Sequence, residues 1–101
     1  MKQSNSRSVL LQQAWLGDAV LALSVRERIL REQGKLDGEL YTRMTSNHFL
    51  SAIGEPSAVE AEIGEQYRVG GLAGAFEFIE QTLIPVYERQ EANRRKRLGI
   101  T

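Results

Sequence analysis

The run Trp15-Leu16-Gly17-Asp18-Ala19-Val20-Leu21 constrains the chain most, because it sets an acid directly after a glycine inside an otherwise apolar segment. An ionised carboxylate is expensive to bury without a partner. An aspartate lodged there needs a capping role, a basic neighbour or a metal ion. The spacing around it is helical. Leu16, Val20, Leu23 and Ile29 fall near one stripe, Ala19, Ala22, Val25 and Leu30 lie beside it, and Gly34 suits the position just past a helix end.

The helical pattern continues to the end of the chain. Asp37 can cap a second helix through Leu40, Tyr41, Met44, His48, Ala52 and Ile53, closed by Gly54. Pro56 suits the first turn of a third helix, on which Val59, Ile63 and Tyr67 repeat every four residues until Gly70-Gly71 breaks it. A fourth helix carries Leu72, Phe76, Ile79 and Leu83, and Pro85 either kinks it or starts another through Val86 and Tyr87. No alternating strand pattern, internal repeat or long linker interrupts this. The expected fold is all-α, one small domain over residues 1–101, with a core at about 9–90 and a basic C-terminal tail at 91–101.

Composition narrows the possible roles. With 101 residues the chain can bury one modest core, and with no cysteine it has neither disulfides nor thiolate metal ligands. Its apolar runs are far shorter than the roughly 20 residues that span a bilayer, and Met1 to Ser8 lacks the apolar region of a secretory signal. A soluble cytoplasmic protein is expected. Thirteen basic residues balance thirteen acidic ones, yet Arg89, Arg94, Arg95, Lys96 and Arg97 crowd the C-terminal end.

The run around Asp18 resembles the signature of the ribonuclease III superfamily, roughly Glu-Phe-Leu-Gly-Asp-Ala-Val-Leu, with Asp18 on a metal-binding acid and Ala14 where the pattern has its first Glu. Residues 57–71 resemble a second family signature, with matches at Glu60, Ala61, Ile63, Gly64, Tyr67, Gly70 and Gly71. Between them, Leu36-Asp37-Gly38-Glu39-Leu40 and Thr45-Ser46-Asn47 are similar to the middle helix, and Leu72 to Leu83 is similar to the terminal one. The resemblance runs in order from about Ala14 to Leu83. Family members bring four acids to each site; here Asp18 and Glu60 are kept, while Ala14 and Ser57 stand at the other two positions. The compact Mini-III branch also has a non-acidic residue at the first of these, and Val25-Arg26 looks like a step in its first helix. The segment after Ile53 is much shorter here, without the family's basic, glycine-containing loop.

The resemblance implies a compact ribonuclease-III-like domain that dimerises through the first signature helix, Trp15 included, with two sites along one RNA-binding valley. It implies metal-dependent cleavage of double-stranded or structured RNA, with Asp18 and Glu60 as catalytic and metal-binding acids for Mg2+ or Mn2+. Magnesium commonly takes only one or two carboxylates, so this pair would hold one ion weakly if the first and third helices cross near it. A second ion would need Glu62 or Glu65, which leave a helix in other directions from Glu60; solvent exposure or ion pairing is the competing role for both. The alternative is a catalytically degenerate homodimer that binds RNA or a protein partner. Arg94, Arg95, Lys96 and Arg97 are candidate phosphate contacts, although cations also suit a helix C-terminus. His48 and Asn47 are expected to be structural, and Ser46 has no identifiable base to make it a nucleophile.

Overall fold

The computed structural model describes the backbone of residues 2–99 and the side chains of residues 7–99. Ile100 and Thr101, the end of the expected tail, and Met1 lie outside the described residues. The architecture is all-α: α1 (Lys2–Gln33), α2 (Gly38–Thr45), α3 (Asn47–Leu50), α4 (Pro56–Thr82) and α5 (Ile84–Arg97).

The expected punctuation holds at several points. The Gly34 N–H donates to the Leu30 carbonyl at 2.9 Å and closes α1. The Asp37 carboxylate accepts from the Leu40 N–H at 3.0 Å, which caps α2. Pro56 opens α4, and Pro85 sits in the first turn of α5, so it starts a helix.

Two expectations need correction. The helix expected from Asp37 to Ile53 is two helices. Ser46 is extended (ψ 155°) and its hydroxyl accepts from the Phe49 N–H at 3.1 Å, capping α3. The buried stripe of α1 is also rotated. Ala14, Val20, Leu21, Val25 and Ile29 are buried, whereas Leu23 and Leu30 are exposed. Residues 91–97, within the expected basic tail, form the closing turns of α5.

Gly71 divides α4 into two limbs. Its φ of 67° and ψ of −167° suit glycine and not an L side chain. Gly74 lies against the Gln66 carbonyl oxygen, about 3.5 Å from where its Cβ would be. In an unbroken helix those residues would be some 12 Å apart along the axis, at about 1.5 Å per residue. The chain therefore doubles back at Gly71, and both limbs pack on α1. The first contributes Val59 and Ile63 to the core, the second Ala75 and Ile79. Leu40, Met44, Phe49 and Leu50 close the same core from α2 and α3, with Leu83 and Ile84 at the start of α5.

Two side-chain clusters tie α1 to its neighbours. Arg28 reaches Glu80 at 2.7 Å, Glu32 at 3.3 Å and Glu88 at 3.9 Å, and so links α1 to α4 and α5. The Arg26 guanidinium lies over the Tyr41 ring of α2, 4.8 Å from its centroid. The α1 helix also has a property that uninterrupted apolar runs do not reveal. Its stretch Arg7–Gln33 is long and apolar enough, by length and composition, to cross a membrane. Here it packs against α4, meeting it at Gly17, with Ala14 and Leu21 also buried.

Candidate functional site

The site begins with two glycines. A methyl group on Gly17 would land on the Glu60 carbonyl oxygen, and one on Gly64 would land on the Gln13 carbonyl oxygen. Each glycine thus admits the backbone of the opposing helix, and α1 and the first limb of α4 touch main chain to main chain. Ala14 and Ala61, buried alongside, keep that contact narrow. Gln13 and Glu65 mark the same crossing with a long side-chain hydrogen bond of 3.4 Å.

This crossing brings Asp18 and Glu60 together although they stand on different helices, far apart in the chain. Asp18 follows Gly17 on the solvent side and is exposed; Glu60 is half-buried. The Glu60 carboxyl is pushed up to about 7. Burial is the main cause, followed by the Asp18 charge beside it, a hydrogen bond shared with Asp18 and the charge of Glu55. Among the described residues, neither acid of the pair takes part in an ion pair with a basic side chain.

Glu62 and Glu65 do not join them. Glu62 is exposed and accepts from Gln66 at 3.0 Å, and Glu65 faces Gln13. Among the described residues no group of three or more histidines or acids is arranged to hold a metal ion. The pair can still provide two carboxylate ligands to one hard cation whose other positions go to water and phosphate oxygens. Ala14 is buried in the crossing itself, while Ser57 is exposed in the first turn of α4.

Glu55 belongs to the same neighbourhood, although the sequence pattern does not single it out. Its carboxylate accepts from the Ser57 N–H at 2.8 Å, which caps α4, and its charge is felt at Glu60. The available signal was its place just before Pro56, where a helix start calls for a capping acceptor.

The remaining candidates lie elsewhere. Ser46 spends its hydroxyl on the cap of α3, and Asn47 and His48 lie on that short helix, His48 exposed. Arg94, Arg95, Lys96 and Arg97 form the last turn of α5. Arg94 is bound to Glu91 at 3.3 Å, and the other three are exposed. Trp15 stands 78 % exposed on α1, with exposed Leu11 about one turn before it. No family model, curated protein or solved structure matches the chain.

Proposed function

We propose that this chain is a ribonuclease-III-like domain that hydrolyses phosphodiester bonds in double-stranded or structured RNA in the cytoplasm, with Mg2+ or Mn2+ held by Asp18 and Glu60. One observation carries the reading. Two carboxylates meet at a glycine-to-glycine helix crossing with no basic side chain, among the described residues, to neutralise them. Such a pair is unfavourable alone and favourable around a cation. It fits one ion that keeps several waters; it does not fit two ions bound by protein alone.

A bound divalent ion would supply an activated water and charge stabilisation at the phosphate. The chain's part is positional. Gly17 and Gly64 fix the distance between the helices and so hold the two carboxylates next to each other. Arg95, Lys96 and Arg97, exposed on α5, supply cations for phosphate contact. Duplex RNA would be read through its shape, its phosphates and its 2′-hydroxyls.

The exposed Trp15 and Leu11 on α1 support a homodimer through that helix, because a contiguous apolar face gains from a symmetric partner. In sedimentation across a concentration series, Trp15→Glu should shift the protein to monomer. A wild-type chain that stays monomeric at high micromolar concentration removes the dimer from the proposal.

A second reading, a catalytically degenerate homodimer that binds RNA or a protein, is favoured by the buried Ala14, which leaves the pair without a third acid from α1. Incubation with duplex RNA and Mg2+ or Mn2+, beside Asp18→Asn and Glu60→Gln, separates the two. Cutting that both substitutions abolish, with folding intact, supports the enzyme. No cutting of several duplexes by the unaltered chain supports the binding reading instead, and metal-dependent cutting by both variants refutes the site.

A further inference from the structure

A second concave surface lies between α2–α3 and α5. It is a half-open groove of about 630 Å3, and neither Asp18 nor Glu60 lines it. That volume is within the range of about 300–1,000 Å3 in which small ligands bind. Its charged lining is lopsided: Arg43, Arg94 and Arg97 face a single carboxylate, Glu91, with His48 also in the lining. Glu91 is shared, since its Oε1 lies 3.3 Å from Arg94 Nη1 and 3.9 Å from Arg43 Nη2. The latter distance is too long for a hydrogen bond. Arg43 Nε is buried with no acceptor among the described residues. Arg97 has no ion-pair partner among the described residues.

Three arginine forks from two different elements against one carboxylate make a surface short of negative charge. Arg43 Nε is closed off from solvent, so an entering ligand would meet the exposed Arg97 and the partly exposed guanidinium ends of Arg43 and Arg94. Arginine forks match the oxygens of phosphate in geometry as well as charge. Tyr87, half-buried on α5, adds an aromatic wall to the groove. We infer that this groove binds the phosphomonoester of a nucleotide-sized ligand, either a free nucleotide or the phosphorylated end of an RNA strand. A terminal phosphate near neutral pH carries between about 1.5 and 2 negative charges, close to the surplus of three arginines over one glutamate. A phosphodiester carries one and leaves the groove partly uncompensated. The groove is separate from Asp18 and Glu60, and phosphate binding in it does not depend on RNA cleavage there.

Calorimetric titration at fixed ionic strength tests it with AMP, adenosine, and a short RNA strand carrying either a 5′-phosphate or a 5′-hydroxyl. AMP is expected to bind and adenosine not. Arg43→Gln and Arg97→Gln should each weaken AMP about tenfold, the loss of one charge-assisted contact, while Asp18→Asn leaves it unchanged. Arg97 makes no ion pair among the described residues, so its variant remains informative if Arg43→Gln unfolds. AMP matching the 5′-phosphorylated strand identifies the free nucleotide as the source. A strand bound more tightly than AMP only when phosphorylated identifies the RNA end. Adenosine binding as well as AMP, no binding by any probe, or AMP affinity unchanged in Arg97→Gln would overturn the assignment.

Discussion

Along α1 the same helix meets acidic side chains twice, and the two meetings are built in opposite ways. At Arg28, three carboxylates from α1, α4 and α5 gather around one guanidinium, and the cluster fastens the bundle. At Gly17, about one turn past Gln13, two carboxylates gather without a cationic side chain among the described residues, and the backbone contact beneath them does the fastening. Acids placed for structure carry their own counter-charge. Acids placed without one raise the energy of the fold, and a bound cation would lower it. The contrast separates a structural ion cluster from a candidate site within a single helix.

The backbone contact at the second meeting should be the most fragile point of the comparison. Gly64→Ala or Gly17→Ala puts a methyl group onto a carbonyl oxygen of the facing helix, which cannot swing aside as a side chain would. Each should destabilise by roughly 2–3 kcal/mol in urea unfolding. Gly38→Ala, where a Cβ meets open space, should be neutral or slightly stabilising. Equal stability for all three would show that the helices do not touch as described.

A pH series tests the unneutralised pair. Glu60 ionises at about 7 in the fold against an ordinary 4.5, so the folded state holds its proton more tightly than the unfolded one. Ionisation then opposes folding. The Glu60 contribution should be greatest below pH 4.5, fall as pH rises from 4.5 to about 7, and level off above. Because Glu60 is only half-buried, screening reduces the expected loss to about 1–2 kcal/mol. Glu60→Gln should flatten this fall in thermal melts. A fall of the same size in the variant would assign it to other groups.

The neutralised cluster should respond least. Arg28 is mostly buried and its three partners are exposed. Arg28→Gln should remove about 1 kcal/mol, measured by denaturation at low salt and reduced at high salt. A larger loss at Arg28 than at Gly64 would reverse the ranking of the two meetings.

Local chemistry made much of this fold legible in the sequence. Gly34, Asp37, Pro56 and Gly71 act within a turn of themselves, and each stops, caps, starts or breaks a helix where its type suggests. Ser46 did not announce its break, because the apolar residues on either side keep a helical spacing across it. The rotation of the α1 stripe was hidden for another reason. Leu23 and Leu30 are as apolar as Leu21, and only the position of α4 decides which of them is covered. In the candidate site, Asp18 and Glu60 stood out, but the reason they meet did not. Gly17 and Gly64 look like ordinary residues of two separate helices until the helices cross. Glu55 was hidden because its influence on Glu60 comes through the turn that precedes α4.

The central claim is that Asp18 and Glu60 form a cation site, and thermal melts in rising Mg2+ at pH 8 and constant ionic strength test it most directly. Binding to the folded state alone stabilises by about 1.4 kcal/mol at ten times the dissociation constant. Mg2+ should raise the melting temperature of the wild type and of Glu65→Gln, whose acid lies outside the pair, whereas Asp18→Asn and Glu60→Gln should lose the increase. An equal rise in all four proteins, or none in the wild type, would contradict the claim.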